Sequence, residues 1–261
     1  MKYTKLFVIM GFLSNLFGCG PKSANTQETT ATAVPKITIP VENIAATADQ
    51  KERRAQSEKI CEAKGIPVYA NPNALFVSAE NETVLRTQDE VVDRAVALLY
   101  LGLKSEGLEQ VHLDQMNTDY AVSAKLSPRE KEYAFADNPT QQQRTDANWR
   151  YESLHVLLWS LGYIDELAYP DQLCNVAHDV KIVYELGPDA FREQAQLRSK
   201  REILDQADLV LCYDWACVSA RVKNEDAPGG MDSSVVYERH YALNWLIKYM
   251  DQEWDNVSTD T

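Results

Sequence analysis

The sequence predicts a mainly α-helical fold: one compact multi-helix domain, with room for a small β-hairpin near residues 68–86. Three observations predict it. Apolar residues recur at three- and four-residue spacing in several long segments. Those segments are bracketed by Ser or Thr starts and by Gly or Pro stops. Sustained apolar–polar alternation, the mark of a half-buried strand, is confined to short pieces. An apolar content of 45% with 9% aromatic residues is enough to build a packed core.

The elements follow in order. Lys2 and Lys5 precede an uncharged, mostly apolar run at residues 6–17, closed by Gly18 and Cys19. Charge, short apolar core and small residue before a cleavage point describe a bacterial export signal. The run is shorter than the roughly 20 residues needed to span a bilayer. A Cys directly after the small residue resembles a lipoprotein signal, with residues 1–18 removed and Cys19 lipidated as the new N-terminus. The expected location is the cell envelope. Gly20 stands where an Asp commonly retains lipoproteins at the inner membrane, so the periplasmic face of an outer membrane is favoured in a cell that has one. Residues 19–48 are rich in Thr, Ala, Asn and Gln and carry Pro21, Pro35 and Pro40. They read as a flexible tether.

The helical domain is expected over residues 49–261. Residues 49–64 read as a helix stopped by Gly65 and Pro67. Val68-Tyr69, Leu75-Phe76-Val77 and Thr83-Val84-Leu85 are the β-prone pieces. Thr87 or Gln88 opens a helix with Val91, Val92, Ala95, Leu98, Leu99 and Leu101 on one face, ending at Gly102. Ser127, Pro128 and Glu130 mark another helix start. Residues 148–163 form the strongest helix. Trp149, Glu152, Val156, Trp159 and Tyr163 lie on one side, and Tyr151, Leu154, Leu158 and Leu161 on the other. A helix apolar on both sides belongs at the centre of its domain. A helix follows at residues 173–186. Ser199 and Glu202 have capping-box spacing and open a helix that carries Ile203, Leu204, Ala207, Leu211 and Trp215 inward. The last helix is expected over residues 235–250, before a tail in which Trp254 is predicted to pack onto the domain.

The formal net charge of −13 excludes a phosphate backbone as an expected partner. Loss of Lys2 and Lys5 with the signal makes it −15. The expected partners are the membrane, through a lipid on Cys19, and an unidentified protein or small molecule. No cofactor is predicted, since Gly-rich phosphate loops, G-x-S-x-G, H-E-x-x-H and C-x-x-C are all missing. No metal site is predicted either. His112-Leu113-Asp114 and His178-Asp179 come nearest, and each reads as a surface or capping pair. Cys61, Cys174, Cys212 and Cys217 allow three disulfide pairings or none. Cys212 and Cys217 are excluded as a pair, because five helical residues separate their Cα atoms by about 8.6 Å, beyond disulfide reach.

The informative residues are charges on apolar faces. Val236, Leu243, Leu246, Ile247 and Met250 form one stripe of the last helix, and Arg239 projects into it. Tyr237, Tyr241, Trp245 and Tyr249 form a second. Glu152 sits among Trp149, Val156 and Trp159. A buried charge is costly unless paired, so Glu152 and Arg239 are predicted to meet within about 6 Å, with Arg150, His240 and Asp255 as further members of the cluster. Two readings stay open. In one, the cluster is a structural ion pair in a non-catalytic binding or scaffolding domain. In the other, Glu152, Arg239 and His240 line the pocket of an enzyme of unrecognised class. The basic group Arg192, Arg198, Lys200 and Arg201 reads as a solvated face, with an anion site as the alternative.

Four segments together resemble one family. They are Trp149-Arg150-x-Glu152-x-Leu154-x-x-Leu157-Leu158-Trp159-x-Leu161-Gly162; Arg198-Ser199 with Glu202-Ile203-Leu204-Asp205 and Trp215-Ala216; Glu238-Arg239-His240-x-Ala242-Leu243-Asn244-Trp245-Leu246; and Trp254-Asp255-x-Val257-Ser258-Thr259-Asp260-Thr261. The resemblance is to the bacterial family catalogued as domain of unknown function 4272, over roughly residues 50–261. It implies one domain and draws attention to Glu152, Arg239, His240, Asn244, Trp254 and Asp255. It implies no activity and no catalytic residue.

Overall fold

Helices α1 (Ala48–Ala63) and α2 (Gln88–Ser105) open the domain, followed by α3 (Gln110–Tyr120), α4 (Val122–Lys125) and α5 (Pro128–Ala134). The long helices α6 (Gln141–Ser160), α7 (Val176–Glu193), α8 (Lys200–Val222) and α9 (Ser233–Leu246) complete it. The computed structural model describes residues 45–69 and 74–261. The export signal, Cys19 and most of the tether lie outside the described residues. No helix among the described residues is long and apolar enough to cross a membrane.

Helix α6 is the centre. It packs most extensively on α2, and also on α9 and α7; α9 packs on α8, and α8 on α1. Every residue from Tyr151 to Leu161 is buried, as two apolar sides require. The closeness of α2 and α6 depends on Gly102. A Cβ there would lie 2.4 Å from the Tyr151 ring, inside any tolerable contact. Gly102 therefore does not stop its helix, which runs three residues further to Ser105. It is the point where one helix admits the other's aromatic ring.

Capping chemistry sets the starts. Thr87 accepts from the Glu90 amide, Ser127 from Glu130, and Ser199 from Glu202, each in a reciprocal capping box. The same device at Thr140 and Gln143 starts α6 seven residues before the apolar pattern does. Asn175 caps α7, which is regular up to Leu186. There Gly187 adopts φ 70° and Pro188 begins a short second piece. Helix α9 ends at Leu246, and Lys248, Met250 and Asp251 take positive φ. The helix thus ends four residues earlier than predicted, and the inward stripe holds as far as Ile247, 5% exposed, but not at Met250, 65% exposed.

No strand forms among the described residues of 68–86. Carbonyls of this segment are taken by side chains of α1 instead of a partner strand. Gln50 donates to Val77 O at 2.9 Å, and Arg54 Nη2 to Leu75 O at 2.8 Å. Arg54 also forms a two-pronged pair with the buried Asp208 of α8, at 3.1 and 2.9 Å.

The basic group is engaged internally. Arg192 bonds Asp89 and Asp93, Arg198 donates to the Trp159, Ile164 and Asp165 carbonyls, Lys200 reaches the Glu80 and Thr83 carbonyls, and Arg201 meets Glu52. These side chains join loops and helices together.

All four domain cysteines are free thiols. Cys61 of α1 and Cys212 of α8 lie in one buried cluster, and the interaction between their thiols lowers the Cys61 pKa and raises that of Cys212. Of the pairings the sequence left open, the fold favours this one. A mass-spectrometric map of oxidised protein is expected to show a Cys61–Cys212 bond, and finding Cys212 joined to Cys217 would mean that α8 is not intact there.

Candidate functional site

Glu152 on α6 and Arg239 on α9 face each other because both helices turn an apolar stripe toward the same interior. The two residues are 2% and 3% exposed. Arg239 Nε lies 3.6 Å from Glu152 Oε2. That is an ion pair, but it is too long for a hydrogen bond, and both atoms are buried without a hydrogen-bond partner. The other ends are satisfied. Glu152 Oε1 accepts from the Cys174 amide at 2.5 Å, and Arg239 Nη1 donates to Ala168 O at 2.5 Å. Burial pulls the Arg239 pKa down, against the opposing effect of the Glu152 carboxylate. The pair ties the α6–α7 connection to both helices.

The other three residues of the predicted cluster have partners of their own. Arg150 bonds Glu238 at 3.0 Å, and Ser153 Oγ donates to the same carboxylate at 2.8 Å. His240 Nδ1 pairs with Asp214 Oδ2 of α8 at 2.8 Å. Asp255 accepts from Ser127 Oγ at 2.5 Å and from the Arg129 amide at 3.0 Å, reinforcing the start of α5. The structure therefore brings Glu152 and Arg239 together and distributes Arg150, His240 and Asp255 to separate neighbours. Successive helical residues point about 100° apart, which is why Arg239 and His240 serve different interfaces.

Beside Glu152 lies a group that periodicity does not reveal. His155 follows Glu152 by three positions on α6, so both project over the same turn. Cys174 precedes α7, and Asp179 occupies its first turn. One donor atom from each of His155, Cys174 and Asp179 lies within 4.8 Å of the others. Asp179 Oδ2 holds His155 Nδ1 at 2.9 Å, while Asp179 Oδ1 is buried and has no hydrogen-bond partner. His178 Nδ1 is 3.7 Å from that oxygen. The capping or surface role expected of His178-Asp179 is thus half right. His178 faces outward, but Asp179 is 0% exposed, because adjacent helical positions cannot share a face. Burial pushes the Cys174 thiol pKa up, and the Glu152 and Asp179 carboxylates push it further.

The family model for Domain of unknown function (DUF4272) matches residues 53–257. The chain belongs to this family. Neither a curated protein nor a solved structure matches it. Two of the clefts among the described residues of this DUF4272 domain are roomy. One, of about 360 Å³, lies where α6, α8 and α9 meet and is lined by residues including Trp149, Val218, Arg221, Ser234 and Tyr237. The other, of about 310 Å³, has Lys64, Leu167, Tyr169, Leu209, Tyr213 and Arg239 among its lining. Glu152 and His240 line neither. The signal for the His155 group was present in the sequence as Glu152-x-x-His155 on one helix. Its remaining members come from beyond the intervening loop, where helical periodicity carries no information.

Proposed function

We propose that this chain is a lipid-anchored envelope protein whose DUF4272 domain is a non-catalytic binding or scaffolding module. The observation that carries the binding reading is the internal pairing of Glu152, Arg239 and His240. Glu152 faces Arg239, His240 faces Asp214, and all three are buried. Proton transfer needs a group within hydrogen-bond reach of a substrate, and these groups reach protein partners instead. The enzyme alternative, a common pocket of Glu152, Arg239 and His240, is weakened by His240 turning to α8. The acidic composition and the export signal ending at Cys19 support a tethered body whose membrane contact is the lipid.

The test is a pull-down from envelope extracts with the intact lipoprotein, beside a Cys19→Ser control. Cys19→Ser is expected to leave the membrane fraction and to lose incorporation of a fatty-acid label. A partner retained by the intact protein, and released by Trp149→Ala in the larger cleft, supports the binding module. Membrane retention of Cys19→Ser without fatty-acid label would overturn the anchor. Loss of no partner on altering either cleft would overturn the binding reading.

A further inference from the structure

We propose that His155, Cys174 and Asp179 form a binding site for one zinc-class divalent cation, which fastens the start of α7 to α6. The donor set decides the class. A thiol, an imidazole and a carboxylate together suit zinc, whereas calcium and magnesium take oxygen ligands and copper(I) prefers sulfur. The three donor atoms already lie within 4.8 Å of one another. Tetrahedral zinc, with bonds near 2.0–2.3 Å, needs donors about 3.3–3.7 Å apart, so the group closes by about 1 Å on binding.

An orphaned oxygen is the independent observation. Asp179 Oδ1 is buried without a hydrogen-bond partner. A buried carboxylate oxygen with nothing to accept is costly. The charge nearby does not remove that cost: His178 stands 3.7 Å from Asp179 on a largely exposed ring. A divalent cation at the three donors satisfies Asp179 Oδ1 directly. Glu152 acts as a positioning residue, since its Oε1 holds the Cys174 amide. His155 ligates through Nδ1, the nitrogen that already lies 2.9 Å from the Asp179 carboxylate.

A Cys–His–Asp nucleophilic triad is the competing chemistry for the same three residues. The carboxylates beside Cys174 argue against it, because they disfavour the thiolate that a nucleophile needs. A bound cation reverses that balance and takes the thiolate as ligand, releasing its proton to solvent.

The test uses the full-length lipoprotein in detergent, stripped with a chelator and titrated with Co²⁺ and then Zn²⁺. The expected result is one Co²⁺ per chain with a thiolate charge-transfer band, bleached by Zn²⁺. The band is lost in Cys174→Ser, and affinity falls about tenfold or more in Asp179→Asn. Zn²⁺ raises the Tm of the wild-type protein and leaves that of Cys174→Ser unchanged. Cys174 is only partly buried, so Cys174→Ser decides the matter if Asp179→Asn fails to fold by circular dichroism. A missing band overturns the proposal. So does a band that persists in Cys174→Ser, which places the metal on Cys61 and Cys212. Rapid alkylation of Cys174 at the same rate with and without Zn²⁺ also overturns it and favours the nucleophile.

Discussion

Asp208→Ala is expected to destabilise the domain by about 3–5 kcal/mol, the usual cost of removing one member of a buried ion pair. Asp208 is 1% exposed and holds Arg54 through two hydrogen bonds. Without it, the Arg54 guanidinium keeps the Leu75 carbonyl and its stacking over the Phe76 ring at 4.7 Å. Neither supplies a counter-charge. At 2–4 °C per kcal/mol for a domain of this size, the Tm falls by roughly 6–20 °C. A double variant, Arg54→Met with Asp208→Leu, is expected to recover most of the loss, because apolar replacement of a whole buried pair is often neutral. Chemical denaturation of the three proteins measures this. A single-variant loss below about 1 kcal/mol would show that the pair behaves as a surface one.

Trp254→Ala is expected to cost about 3–5 kcal/mol, as for other large buried aromatics. Trp254 is 4% exposed although it lies seven residues before the last position. Its ring meets Tyr241 edge-on at 5.0 Å and Trp245 at 5.5 Å. The Arg94 and Arg150 guanidinium groups lie 5.1 and 5.8 Å from it. The Tyr241 hydroxyl donates to the Trp254 carbonyl, and Asn244 Nδ2 donates to Ser258 O at 2.8 Å. The C-terminal segment is thereby part of the core of α9. Trp254→Phe is expected to lose about half as much, since a smaller ring keeps some contacts. Hydrogen exchange of the α9 amides gives a second readout. It is expected to accelerate in Trp254→Ala and to stay slow in Trp254→Phe.

Much of the helix plan was legible because helices are local. Val91, Val92, Ala95 and Leu98 recur on one face of α2, and all are buried. Ser127-x-x-Glu130 and Ser199-x-x-Glu202 fix their helix starts through bonds between residues three apart. Errors arose where a local signal had two meanings. Gly102 looks like a helix stop, but it is a contact point for Tyr151. Leu75-Phe76-Val77 looks like a strand, but the side chains of α1 take its carbonyls.

The sequence alone decided the mainly helical class, the central place of α6 and the pairing need of Glu152 and Arg239. The reading of residues 1–19 as an export and lipidation signal rests on the sequence alone. Tertiary structure decided which polar groups meet. His240 pairs with Asp214 instead of joining Arg239; Cys61 lies against Cys212; His155, Cys174 and Asp179 gather at the α6–α7 junction. The physical reason is that periodicity states which face of a helix is buried. It does not state which face of another helix lies opposite, and that is settled by how the helices pack.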